Sequence, residues 1–229
     1  MDNENKAHIS DDKANIRQKT AWFSDEEFAK LKDLMLVHEW GQRILLTKFN
    51  IIHEDLKNFQ GSSPIEYIKG RIKSSESMAA KLQRMDVEIT AANAKKYLKD
   101  IAGIRIICPF AKDIYYLALL LRTMPDGNIV REKDYVGNPK PSGYRSYHII
   151  MEVPVFYSGK TENVMVEVQI RTEAMNFWST LEHKARYKYK ERIPQHLCDE
   201  LVLCAEKIAE LDNRMFLIHE RTSLTNQDN

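Results

Sequence analysis

VMVEVQIRT, residues 164 to 172, is the stretch that decides the fold. Val164, Val166, Val168 and Ile170 alternate with Met165, Glu167, Gln169 and Arg171, the period of a strand that buries one face. The other face carries a carboxylate, an amide and a guanidinium, each two residues from the next, so the three groups project from the same side of a sheet. A polar strand face is ordinarily the solvated side of an antiparallel sheet. A carboxylate on a sheet face among basic groups is also what a metal–nucleotide site requires. The neighbouring stretches decide between the two.

Immediately upstream, strand character starts at Tyr144 and runs through HIIMEVPVFY, and Ser158-Gly159-Lys160 turns the chain into the central strand, giving a hairpin. Before it lies the loop GNPKPSG, residues 137–143, stiffened by two prolines, with Gly143 free to take a positive φ or a close approach. Lys140, Tyr144, Arg145 and His148 surround that glycine. A flat ring beside cations suits a nucleobase and its phosphates, because the ring stacks and the cations neutralise. A rigid hairpin loop whose Tyr144 merely covers the core explains the same residues. DIAGIRIICPF, residues 100–110, reads as a buried strand with Asp100 and Gly103 at its entry. Asp113 to Met124 reads as a helix closed by Pro125-Asp126-Gly127, and a short strand from Ile129 leads through REKDY into the loop. After Thr172, Ala174, Phe177, Trp178, Leu181 and Ala185 recur at helical spacing as an expected core stripe. Beyond Pro194 a last amphipathic helix, from about Gln195 to Arg221, carries Leu201, Cys204, Ile208, Leu211, Met215 and Ile218.

Nearer the N-terminus, Ser24 with Glu27 forms a capping-box pattern that opens a helical stretch from Phe28 past Gly41 to Phe59, either one helix or two broken near the glycine. Ser63-Pro64-Ile65-Glu66 is a second such pattern, predicting a helix to about Met85. Lys69, Arg71, Lys73, Lys81 and Arg84 would give it a basic face, solvated or anion-binding. Thr90 caps a short helix ending near Lys99. Together these elements predict an α+β fold, a single mixed sheet of about five strands flanked by helices. The predicted domain spans 23–222, between a polar flexible tail over 1–22 and a flexible end over 223–229.

A chain of 229 residues builds one substantial core. A formal net charge of +1 excludes a general polyanion-binding coat, so anion affinity must come from local clusters. No apolar run approaches a membrane span, and the acidic start MDNENKAHISDDK lacks the apolar core of a signal peptide. Cys108, Cys198 and Cys204 match no metal-ligand spacing and read as reduced residues packed in strand or helix, which predicts a cytoplasmic protein. There is no GxxxxGK[ST], no GxGxxG after a strand, no HExxH and no adjacent His-Asp pair. His53, Glu54 and Asp55 are neighbours in sequence that a helix would point to different faces.

DIAGIRI at 100–106, REKDYVGNPKPSGYRSYH at 131–148, VEVQIRT at 166–172 and FWSTLEH at 177–183 resemble the synthetase domain of the RelA/SpoT family, the (p)ppGpp synthetases or GTP pyrophosphokinases. The ordered match covers about residues 63–192, and the short length is similar to the small alarmone synthetases. The resemblance implies a nucleotidyltransferase-like domain that moves the β,γ-pyrophosphate of ATP to the ribose 3′-oxygen of GDP or GTP. Asp100 and Glu167 match the family's Mg²⁺-binding pair, and Glu167 is also placed to accept the 3′ proton. Arg71 and Arg105 match residues that clasp adenine, and Lys73 and Lys81 match residues that reach ATP phosphates. Tyr144 matches the guanine-stacking aromatic, while Lys140, Arg145, His148 and Gln169 would line the guanosine nucleotide. The resemblance further implies a homotetramer and leaves open whether product alarmone or single-stranded RNA regulates it, and the missing His-Asp pair predicts synthesis without hydrolysis. The competing expectation is an RNA- or nucleotide-binding module that uses the same surface without chemistry. Such a binder has no need of Asp100 and Glu167, which repel phosphate unless a cation intervenes.

Overall fold

The computed structural model describes residues 22–124, 127–188 and 193–225. The expected tail lies, but for Trp22, outside them, as does the expected flexible end beyond residue 225. In chain order the elements are α1 (Asp25–Phe59), β1 (Tyr67–Ile72), α2 (Ser75–Arg84), α3 (Ala91–Tyr97), β2 (Ala102–Cys108), α4 (Ala111–Arg122), β3 (Asn128–Asp134), β4 (Tyr147–Tyr157), β5 (Lys160–Thr172), α5 (Glu173–Lys188) and α6 (Gln195–Thr225). The five strands form one sheet in the order β1-β2-β5-β4-β3. Only β2 and β5 run parallel; the other pairs are antiparallel. The α+β expectation with a single mixed sheet holds, and VMVEVQIRT lies in its middle strand.

The apolar face of that strand builds the main core. Val164, Val166, Val168 and Ile170 join Ile104 and Ile106 of β2 and Ile149, Met151 and Val153 of β4, all buried. Val37, Leu45 and Phe49 of α1 and Ile114, Leu117 and Leu121 of α4 belong to the same cluster. Helix α1 is unbroken at Gly41, and the reason is packing: a Cβ there would lie 2.3 Å from Val164 Cγ2. The glycine lets the helix come down onto the sheet. Ser24 caps α1 by accepting from Glu27 N, but the Glu27 carboxylate accepts instead from Ala91 N at 2.8 Å, joining α1 to α3. A smaller core of Leu31, Leu34, Met78, Leu82, Ala94, Leu98 and Ile101 packs α1, α2 and α3 together.

Three expectations need correction. Residues 67–72 form an edge strand, not the first turns of a helix: Tyr67, Lys69 and Arg71 alternate with Ile68, Gly70 and Ile72, and the ladder to β2 satisfies their backbone. The helix begins at Ser75, where Ser74 accepts from Ser77 N. In α5, Trp178 is buried, but Phe177 and Leu181 are exposed, so the aromatic stripe is only partly core. Cys204 is exposed on α6, whereas Cys108 is buried in β2.

Candidate active site

The sheet register assembles the site by setting polar side chains in rungs across the face opposite α1. Glu167 pairs with Gly103 and Ile150, and those residues pair with Arg71 and Arg131. One rung along, Gln169 pairs with Arg105 and His148, which pair with Lys69 and Lys133. Gly103 has no side chain to occupy the sheet beside Glu167. The space becomes a cavity of about 220 Å³ lined by Arg71, Gly103, Arg105, Glu167 and Gln169. On the other side of Glu167 and Gln169 lies a larger cleft of about 740 Å³, which Lys81, Asp100, Lys140, Tyr144 and His148 also line. The two hollows share Glu167 and Gln169.

Asp100 accepts from Lys73 Nζ at 2.7 Å and from Lys81 Nζ at 2.9 Å. Burial pushes its carboxyl up, but the two ammonium groups together hold it below its ordinary value. Glu167 is treated the same way: burial raises it, while hydrogen bonds from His148 and Gln169 more than offset that and keep it ionised. Arg105 is crowded by other cations. Its Nη1 donates to Asn176 Oδ1 at 3.2 Å, but its Nε is buried without a partner. Burial first, and then Arg171 and Arg71, lower its pKa. A buried unpaired guanidinium edge in a small hollow is a ready donor to a planar ligand.

Tyr144 and His148 make the wall of the larger cleft. Gly143, with φ +84°, turns the chain ahead of Tyr144, as its loop position predicts. Lys140 Nζ lies 4.7 Å from the Tyr144 ring centroid and 4.6 Å from that of Tyr135. Tyr135 stands edge-on to both Tyr144 and His148 and went unassigned in the sequence, although REKDY placed it at the loop's entrance. Arg171 was likewise unassigned. It is 3% exposed, and its Nη2 donates to Tyr144 Oη and to Gln169 Oε1. Its place two residues after Gln169 was the available signal.

Not every expected site residue reaches the cleft. Lys73 is buried against Asp100 and lines neither hollow. Arg145 turns away, donating from Nη1 to Val136 O at 3.0 Å. It lines a separate, mostly apolar cavity of about 310 Å³ between the loop and α6, with Met175, Trp178 and Ala205. That cavity is lined by a single carboxylate, Asp212, and so lacks the paired carboxylates of the sheet face. The donor set fits Mg²⁺: Asp100 and Glu167 are two hard carboxylates on one cleft. Mg²⁺ takes few protein ligands and completes its octahedron with water and phosphate oxygens. Among the described residues no group of three or more His, Cys, Asp or Glu could hold a metal by itself.

The chain is 46% identical over 184 residues to the GTP pyrophosphokinase YwaC of Bacillus subtilis, covering 80% of this chain and 88% of that protein. Among solved structures, small alarmone synthetase 2 of Bacillus subtilis superposes with a TM-score of 0.75 at 43% identity, over 83% of this chain and 98% of that one. Small alarmone synthetase 1 of the same organism, bound to its product pppGpp, superposes with a TM-score of 0.77 at 34% identity, over 83% and 96%. The family model described as the region found in RelA / SpoT proteins matches residues 70–192, which run from within β1 past the end of α5 and hold every cleft residue named above except Lys69. The chain belongs to the RelA/SpoT family, among its small alarmone synthetases.

Proposed function

We propose that this protein is a GTP pyrophosphokinase that transfers the β,γ-pyrophosphate of ATP to the ribose 3′-hydroxyl of GDP or GTP, giving ppGpp or pppGpp. The 3′-oxygen attacks the β-phosphorus, the bond from that phosphorus to the α,β-bridging oxygen breaks, and AMP leaves. The observation that carries this reading is the pair of hollows meeting at Glu167 and Gln169, since a two-substrate transfer needs two sites with one reacting point between them.

In this reading the smaller hollow holds the adenine of ATP between Arg71 and Arg105. The larger cleft takes the guanosine nucleotide, with its base on Tyr144 and its phosphates toward Lys140. Glu167 accepts the 3′ proton; its hydrogen bonds to His148 and Gln169 fix both carboxylate oxygens and leave it ionised for the task. Lys81, a third exposed, can swing from Asp100 onto phosphate, while Lys73 holds Asp100 in place. Asp100 and Glu167 would hold Mg²⁺, which supplies charge neutralisation on the phosphate oxygens of the transition state.

We further read the protein as a cytoplasmic homotetramer that product alarmone or RNA could regulate. No helix among the described residues is long and apolar enough to cross a membrane. Leu211, Met215 and Ile218 leave an exposed apolar stripe along α6 that would suit self-association, which light scattering tests. The catalytic reading is tested by incubating the purified chain with ATP, Mg²⁺ and either GDP or GTP and separating the nucleotides by charge. Appearance of AMP together with ppGpp or pppGpp is expected. Nucleotide binding without either product would favour the binding module instead. Added ppGpp with Mn²⁺ should stay intact, because the sequence has no His-Asp hydrolase pair; released pyrophosphate would count against synthesis alone.

A further inference from the structure

Arg171 is a buried cation with four hydrogen-bond contacts and, among the described residues, no carboxylate in any of them. Nε donates to Ser146 Oγ at 3.3 Å, Nη1 to Ser179 Oγ at 2.9 Å, and Nη2 to Tyr144 Oη at 2.5 Å and Gln169 Oε1 at 2.8 Å. A guanidinium 3% exposed is ordinarily paired with an acid, because an uncompensated buried charge is costly. Here the nearest compensation is one residue removed, along two routes that end on the same carboxylate.

Both routes are continuous. Nδ1 of His148 lies 3.1 Å from Glu167 Oε1. Tyr144 Oη lies 2.8 Å from Nε2 of the same ring and accepts from Arg171 Nη2. The other route runs through Gln169, whose amide has only one workable orientation. Its oxygen faces the guanidinium and its nitrogen donates to Glu167 Oε2 at 2.7 Å. The ring is closed: both routes join Arg171 to Glu167.

We propose that Arg171 is a positioning residue: by heading two hydrogen-bond chains, through Tyr144–His148 and through Gln169, it locks both oxygens of Glu167 and the guanine-stacking ring into one rigid unit. The acceptor platform and the proton-accepting carboxylate are then set by the same guanidinium, so neither rotates without breaking the other's support. Arg171 Cζ also lies 5.0 Å from the Tyr144 ring centroid, which adds a cation–π contact to the same unit. The Tyr144 hydroxyl thereby gains a role separate from its ring face. This rests on the transfer reaction proposed above.

The test is a double-mutant cycle on Arg171→Met and Tyr144→Phe, with kcat, KM for GDP and thermal melting measured on each protein. Loss of a supporting residue behind a reacting group typically costs about 10- to 100-fold, so Arg171→Met should lower kcat by that much. Tyr144→Phe keeps the stacking face but cuts one chain: kcat should fall about tenfold while KM for GDP stays within about threefold. The double variant should be no slower than Arg171→Met, because the chain that Tyr144 completes has already lost its head. Losses that multiply in the double variant, or wild-type kcat in either folded single variant, overturn the proposal. If Arg171→Met does not fold, Arg171→Lys serves in its place. One ammonium keeps the charge but cannot hold both chains, so it too must lower kcat and mask Tyr144→Phe, and independent losses again overturn the idea. Absence of product from the wild-type chain in the same assay removes the transfer reading itself, whereas an active wild type with additive losses removes only the role of Arg171.

Discussion

At the scale of single residues, Lys73 and Lys81 hold the same carboxylate and are not equivalent. Lys73 and Asp100 are 11% and 16% exposed at their side chains, whereas Lys81 is 35% exposed and borders the cleft. Removing one partner of a buried pair is costly because the other is left in a poor medium, so Lys73→Met should lose on the order of 3 kcal/mol of stability. Lys81→Ala should lose about 1 kcal/mol or less, since water screens its pair. If Lys81 reaches ATP phosphate, the same change should raise the KM for ATP about 10- to 150-fold, the worth of one charge-assisted contact. Chemical melts and ATP titrations of both variants check this; equal losses of stability would mean that burial does not divide their roles. Glu167 offers a cleaner separation of fold from chemistry. Glu167→Gln keeps the shape and removes the charge, so a folded, nucleotide-binding protein is expected with turnover lower by about 10²–10⁴-fold or more. Turnover within a few-fold of wild type, in a protein that melts normally, would remove Glu167 from the mechanism.

At the scale of elements, the contest at Gly41 can be decided by magnitudes. In a helix interior glycine costs about 1 kcal/mol relative to alanine, so propensity alone favours Gly41→Ala. The added Cβ would stand 2.3 Å from Val164 Cγ2 and 3.4 Å from Val155 Cγ2, inside a closely packed core. Overpacking of that kind typically costs about 1–3 kcal/mol, and the clash should win. A melting temperature below wild type is the expected result, and a raised one would show that the helix shifts freely on the sheet. That contact also shows what sequence could and could not reveal. The alternation in residues 164–172 and the caps at Ser24 and Thr90 depend on neighbours in sequence, so they were readable. Whether α1 breaks at Gly41 depends on a strand more than a hundred residues away. Strand β1 was misread because Ser63-Pro64-Ile65-Glu66 imitates a helix start, although Tyr67 to Ile72 alternate with period two. Ser63 in fact accepts from Ile65 N in a local turn. The cleft's polar residues were legible as motifs, but the turning of Arg145 toward Val136 and the burial of Lys73 follow from packing that no motif encodes.

At the scale of the whole molecule, α6 is the element that braces the acceptor loop from behind. A Cβ on Gly143 would lie 2.6 Å from Ala205 Cβ, so loop and helix are already in close contact. Trp178 Nε1 donates to Leu201 O at 3.0 Å, which fastens α6 to α5. Thr172, at the end of β5, accepts from Met175 N and donates to Asp212 Oδ2 at 2.6 Å, tying sheet, α5 and α6 at one point. One term works against this docking. Burial raises the Asp212 carboxyl above its ordinary value of 3.8, and the Thr172 hydroxyl offsets only part of that. The sign follows from linkage: the folded chain holds this proton more tightly than the unfolded chain does. Stability therefore falls as pH rises from below 3.8 through the folded value, and the penalty is fully present at neutral pH. Asp212→Asn keeps an oxygen for Thr172 and has no charge to desolvate. Asp212 lines the 310 Å³ cavity, which has room for water beside the new amide. The variant should melt a few degrees above wild type at pH 7, given about 2–4 °C per kcal/mol in a chain of this size. The gap should narrow as pH falls through the folded value and close below 3.8, where the carboxyl is protonated in both folded and unfolded chains. Melts of both proteins across that range decide it: a gap that does not change with pH would trace the stabilisation to some cause other than the buried charge, and a lower melting temperature at pH 7 would mean that the carboxylate supports the docking of α6.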